Sequence, residues 1–136
     1  MKIFICSSKA FYDRIPPIQT KLEALGHEVE LPNCFDDPST EQRAKDAGEA
    51  EHAAFKKAMF ERSAGIIEAC DAILVLNFEK HGQANYIGGA TFLEIYDAFK
   101  AGKPIYFYNP LPQGILHDEL SSMVTAVIDG DLSKVS

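Results

Sequence analysis

Apolar and polar positions alternate along this chain in two rhythms that take turns. Lys2-Ile-Phe-Ile-Cys6 is apolar through its middle, which predicts a first strand buried on both faces. Pro16-Pro17 opens a helical stretch in which Ile18, Leu22 and Leu25 recur at i, i+4 and i+7, ended by Gly26. His27 to Leu31 alternates and predicts a second strand near a sheet edge, with His27 an exposed strand-start residue. Pro32 to Thr40 has loop chemistry, and Glu41 to His52 carries almost nothing large to bury, so it reads as an exposed helical or lid-like segment. From about Glu51, the spacing of Phe55, Met59, Arg62 and Ile66 predicts a helix lying on the sheet, with Arg62 either snorkelling or holding an anion.

Cys70 to Asn77 is the most apolar strand and is placed at the sheet centre. A polar loop, Phe78 to Tyr86, leads to Gly88-Gly89 and a further helix. Phe92, Ile95 and Phe99 mark its buried stripe, while Gly102 and Pro104 stop it. Ile105 to Tyr108 reads as a strand, His117 to Met123 as a short helix, and Thr125 to Ile128 as the last strand. Strand and helix therefore alternate throughout. This predicts an α/β fold: a three-layer, doubly wound, five-stranded parallel sheet of the flavodoxin or Rossmann-like kind, with right-handed connections. A length of 136 residues, with no repeat or linker, predicts one domain over residues 1–136.

Composition adds exclusions. With 46% hydrophobic and 24% charged residues the chain is of ordinary globular type. No apolar run is long enough to span a bilayer, and the first residues read as a strand rather than a leader, so a cytoplasmic location is expected. A net charge of −7 argues against a nucleic-acid polymer as partner but leaves small phosphorylated ligands open, since backbone N–H groups can hold a phosphate. Cys6, Cys34 and Cys70 form neither a metal pair nor a disulfide framework, and nothing in the pattern calls for a cofactor or a resident metal.

The candidate chemistry lies at strand ends. In a doubly wound sheet, loops after the first, third and fourth strands meet at a switch point. That brings Ser7 and Ser8, Asn77, Gly88-Gly89 with Thr91 and Glu94, and Asn109 around one cleft. Thr91 and Glu94, three apart, share a helix face distinct from the Phe92 stripe. Two readings stand for them: capping and dipole complementation, or a ligand site behind glycines that let a substrate approach. Asp36 and Asp37 leave the second strand at the same sheet edge.

At these residues the chain resembles the nucleoside 2-deoxyribosyltransferase superfamily, which includes deoxynucleoside-monophosphate N-glycosidases. The resemblance runs through Ala69-Cys-Asp71 and Ile73-Leu-Val-Leu76, then Thr91-Phe-Leu-Glu94-Ile95, Ala98 and Gly102-Lys-Pro-Ile105. It implies that Glu94 is a nucleophile attacking the anomeric carbon of a (deoxy)ribose, with Thr91 beside the sugar or phosphate and Ser7-Ser8 facing the 5′ end. It also implies a small-molecule nucleoside or nucleotide partner and a homo-oligomer built from dimers. Tyr106, Tyr108 and Phe60 are the aromatics expected at the subunit surface.

Three positions depart from the pattern: Asn77 where an Asp is usual, Ala90 for a Gly, and bulky Tyr96, which would pack in the core or reshape the pocket. Asn77 can hydrogen-bond a base but cannot deliver a proton as a carboxylic acid does. Asp36, Asp37, Glu79 and His81 are the candidates for the missing acid. The helix N-terminus and the glycine amides are expected to keep Glu94 ionised. A non-catalytic nucleotide-binding or sensing module is the alternative function. Cleavage of a nicotinamide glycosidic bond and a redox flavodoxin role fit the sequence less well.

Overall fold

The computed structural model describes all residues, Met1–Ser136. Five strands form one sheet: β1 (Lys2–Ser7), β2 (Glu28–Glu30), β3 (Ala72–Leu76), β4 (Ile105–Phe107) and β5 (Ala126–Val127). Their order is β2-β1-β3-β4-β5 and every pair is parallel. The long central pairing sets Ile3 against Ala72 and Ser7 against Leu76. This is the flavodoxin-like order, with β3 in the middle and β2 at an edge.

Successive side chains of a strand point to opposite faces, so β1 divides its apolar residues between two cores. Ile3 and Ile5 pack with Ala72, Leu74 and Leu76 against Ile15, Ile18 and Leu22 of α1 (Ile15–Ala24), and Leu132 and Val135 near the C-terminus close that layer. Phe4 and Cys6, with Ile73 and Val75, face the opposite side. There they meet Ile67 of α3 (Glu49–Ala69), Ile95 and Ala98 of α4 (Gly89–Lys100) and Leu120 of α5 (His117–Met123). Residues 3–6 and 72–76 are all fully buried. Each large side chain among them contributes about 1.5–3 kcal/mol through water exclusion.

The ends of α4 follow from its sequence. Gly88 caps the start with no side-chain hydrogen bond. At the other end Gly102 takes φ +71, its N–H bonds to the Phe99 carbonyl, and the Lys103 N–H bonds to that of Ala98. This pair of bonds is a Schellman stop, and Pro104 follows it.

The face α4 buries differs from the expected one. Thr91, Glu94, Ile95 and Ala98 point inward, while Phe99 is 48% exposed and Phe92 only partly covered. Both registers satisfy helical spacing. Packing against α3 and the sheet selects the one that carries the carboxylate inward. Tyr96 is therefore neither core nor pocket: it is half exposed and stacks on Phe99 at 6.5 Å.

A similar rotation affects α3, whose buried residues are Ser63 and Ile67, leaving Arg62 outside to bond the Asn33 side-chain oxygen. Leu25, expected inside, is 49% exposed because α1 has already ended. The predicted exposed aromatics are also displaced. Tyr106 is buried with its hydroxyl donating to the Ser136 carbonyl, Tyr108 packs on Phe78, and Phe60 lines a pocket. Glu41 to His52 divides into α2 (Thr40–Asp46), which buries no residue, and the first turn of α3, with Gly48 at φ +123 between them. No helix is long and apolar enough to cross a membrane.

Candidate active site

The chain leaves β1 toward β2 on one side of the sheet and β3 toward β4 on the other, so the loops after β1 and β3 part at the C-terminal ends of these neighbouring strands. A pocket of about 210 Å³ opens there. Ser7 enters it from the last position of β1, Ser8, Lys9 and Tyr12 from the segment after it, and Asn33 and Cys34 from the loop after β2. Glu41 comes from α2, and Lys56 and Ser63 from α3. Gly88, Gly89, Thr91 and Glu94 come from the head of α4. Six of the residues singled out from the sequence thus share one cavity.

Glu94 is 8% exposed. It lies in the second turn of α4, and no acidic residue occupies the first turn, so it is not a dipole-complementing residue of the usual kind. Burial pushes its pKa from 4.5 to about 7, with Asp97 adding to the rise, while a hydrogen bond from Ser63 and the charge of Lys56 oppose it. The expectation of a readily ionised carboxylate is therefore corrected. Loss of hydration outweighs the helix-end field in this pocket.

The Ser63 hydroxyl is itself fixed. Asn33 donates from Nδ2 to Ser63 Oγ at 2.6 Å and to the Met59 carbonyl at 3.0 Å. With its oxygen already accepting, Ser63 has its proton free for Glu94. Neither Asn33 nor Ser63 stood out in the sequence. The signal was present only as a serine four residues after Met59, on a stripe whose phase the tertiary packing set.

Ser8 caps the 3-10 turn at residues 9–14, accepting from the Ala10 N–H at 3.4 Å, and lies 3.3 Å from Lys80 Nζ. The Ser7 hydroxyl donates to the Ser8 carbonyl. Thr91 is buried and does not cap α4. At Gly88, an added Cβ would lie 3.3 Å from the Tyr86 hydroxyl, so the close approach there suits glycine.

Asn77 and Asn109 stand apart from the pocket lining. Asn77 is fully buried, donating from Nδ2 to the carbonyls of Asn109 and Pro110 at 3.0 and 2.9 Å and accepting from the Asn109 N–H at 2.8 Å. Asn109 Nδ2 donates in return to the Asn77 carbonyl. The two asparagines staple the ends of β3 and β4 together. The Asn77 amide and the Asn109 Nδ2 are thus engaged with backbone, and neither side chain lines the pocket that holds Glu94.

The candidate acids are also elsewhere. Asp36 and Asp37 border a separate hollow beside β2, and Asp37 is held near pKa 2 by hydrogen bonds from Arg43 and Ser39. Glu79 and His81 are exposed and outside the pocket. The pocket's second carboxylate is Glu41, near pKa 2. Burial acts to raise that value, but hydrogen bonds from His52 and Lys9 and the charge of Lys56 prevail. No three His, Cys, Asp or Glu side chains are grouped to hold a metal ion.

No family model matches the sequence, and no curated protein matches it. Among solved structures, the chain is similar to the 2-deoxyribosyltransferase of the psychrotolerant bacterium Bacillus psychrosaccharolyticus. The TM-score is 0.67 at 20% identity, over 99% of this chain and 90% of that one. It is also similar to the CMP N-glycosidase BcmB of Clostridium botulinum, with a TM-score of 0.58 at 19% identity, over 99% and 97% of the two chains. The five-stranded parallel α/β fold is shared with both.

Proposed function

We propose that residues 1–136 form one nucleoside 2-deoxyribosyltransferase-like domain that cleaves or transfers the N-glycosidic bond of a nucleoside or nucleotide, with Glu94 as nucleophile. The observation that carries this reading is a buried carboxylate facing a pocket at the switch point, oriented by Ser63. The shared fold and the Thr91-Phe-Leu-Glu94 segment support it.

In the first step a carboxylate oxygen of Glu94 bonds to the anomeric carbon. The carbon–nitrogen bond breaks, and its electron pair leaves with the base, which takes up a proton. The resulting glycosyl ester is then opened by water or by the nitrogen of a second base, each losing a proton, and the carboxylate is regenerated. A raised pKa suits this cycle, because a weakly hydrated carboxylate is the stronger nucleophile and the ester carries no charge to bury.

The subunits assemble in this reading through the outer face of α4, where Leu93, Tyr96 and Phe99 expose 45–48% of their surface. That stripe replaces Tyr106, Tyr108 and Phe60 as the aromatic contribution to a dimer.

The test is base release from a panel of nucleosides and 5′-monophosphates, followed by chromatography. Glu94→Gln should reduce turnover by about a hundredfold to a thousandfold with substrate affinity nearly unchanged. A 2-fluoro nucleoside should add one glycosyl mass to the peptide carrying Glu94. Normal turnover by Glu94→Gln would remove the nucleophile assignment. Tight nucleotide binding without base release by the wild type would instead make this a sensing module. That alternative draws support from a pocket whose second carboxyl, Glu41, is held ionised and is no proton donor near neutrality.

A further inference from the structure

The cations of the pocket converge on a carboxylate that contributes nothing to the step at Glu94. Glu41 Oε1 lies 2.9 Å from Lys9 Nζ, and its Oε2 lies 2.9 Å from His52 Nε2 and 3.5 Å from Lys56 Nζ. Glu41, Lys9 and Lys56 all line the cavity that holds Glu94, and Lys56 is close enough to Glu94 to act on its charge. The Glu41 side chain is only 17% exposed, although its helix α2 buries no residue. Only Thr40, Glu41 and Ala44 of α2 are even partly covered. Arg43 of α2 bonds back to Asp37 of the preceding loop at 2.7 Å, and Gly48, at φ +123, lies two residues beyond the helix end.

We propose that Lys9, His52 and Lys56 form an anion subsite of the pocket, occupied by the Glu41 carboxylate in this structure and by the phosphate of a nucleoside 5′-monophosphate in the complex. A phosphate presents three acceptor oxygens and nearly two negative charges, so it uses the same donors more fully than a carboxylate. The exchange leaves Glu41 free to follow α2 outward about Gly48. It is also self-consistent in charge. Lys9 and Lys56 are partly neutralised by Glu41 in one state and more fully by the phosphate in the other, so the lysines near Glu94 keep an anionic partner throughout. This inference rests on the preceding reading, that the sugar lies at Glu94, and names the group that the far side of the pocket takes.

The experiment is calorimetric titration of four nucleosides, their 5′-monophosphates and inorganic phosphate into the wild type, E41Q and the double variant K9Q/K56Q. Folding of each is checked by circular dichroism. The wild type should bind a monophosphate more tightly than its nucleoside. E41Q should widen that preference by about tenfold, because the competing charge is gone. K9Q/K56Q should abolish it, and if the double variant fails to fold, E41Q decides alone. Inorganic phosphate should compete with the monophosphate in E41Q.

An unchanged preference across the variants would place the phosphate elsewhere, on the α4 amides for instance, and overturn the proposal. So would binding of inorganic phosphate to E41Q with no preference for monophosphate over nucleoside. The two readings fail separately. A phosphate preference that obeys the variants without base release removes the catalytic reading and keeps the subsite. Base release that is indifferent to phosphate and to E41Q does the reverse.

Discussion

Replacing Glu94 by Gln should make this protein more stable at alkaline pH and leave its stability little changed in acid. In the folded chain the Glu94 carboxyl titrates at about 7 rather than 4.5, because burial strips its water. Below pH 4.5 the group is protonated both folded and unfolded, and its contribution is fully present. Between 4.5 and 7 the unfolded chain releases the proton while the folded chain retains it, so stability falls as pH rises. Above 7 the loss is complete, at ~3 kcal/mol for a rise of that size. The glutamine side chain of the variant has no proton to lose and escapes the penalty.

Urea denaturation of both proteins at pH 4.5, 6, 7 and 8.5, at one ionic strength, should show the variant gaining on the wild type by about that amount. In a thermal scan the gain corresponds to about 10 °C for a chain of this length. Ser63→Ala provides the companion experiment. It removes a hydrogen bond that favours the carboxylate, so the wild-type transition near pH 7 should move upward in that variant. Turnover should track the same group, climbing through pH 7 as the nucleophile ionises. A stability difference that is flat with pH would refute the argument. One that shrinks as pH rises would mean that the α4 amides outweigh desolvation after all.

Two further predictions concern the asparagine staple and the outer face of α4. Asn77→Ala should cost about 1–2 kcal/mol in chemical denaturation, by removing the side-chain partner of the part-buried backbone groups of Asn109 and Pro110. Asn77→Asp should likewise lose stability, since a carboxylate would face two carbonyl oxygens, and a gain in turnover from it would contradict the structural role. Light scattering of the wild type should give twice the chain mass, and Phe99→Glu should give the monomer. A monomeric wild type with full activity would remove the α4 interface.

The architecture was legible in the chain because it rests on local rules. Runs such as Ile3–Cys6 and Ile73–Leu76 are apolar on both faces, and only an interior parallel strand satisfies that. Gly102 followed by Pro104 ends a helix wherever the helix lies. The alternation of such elements leaves few topologies open, and strand order then places the segments after β1 and before α4 at the same edge. Ser7, Ser8, Gly88, Gly89, Thr91 and Glu94 meet for that reason.

What spacing cannot supply is the phase of a helix whose two faces are both partly apolar. In α4, Phe92, Ile95 and Phe99 compete with Thr91, Glu94, Ile95 and Ala98 for the sheet. Only the packing of α3 and β1 determines that the carboxylate goes in and Phe99 stays out. The protonation of Glu94 depends on that same choice, since an exposed glutamate would titrate as in water. Partnerships between distant side chains were equally invisible. Asn33 with Ser63, Asn77 with Asn109, and Glu41 with Lys9 are separated by about thirty residues of chain and joined only by the sheet that brings its loops to one end.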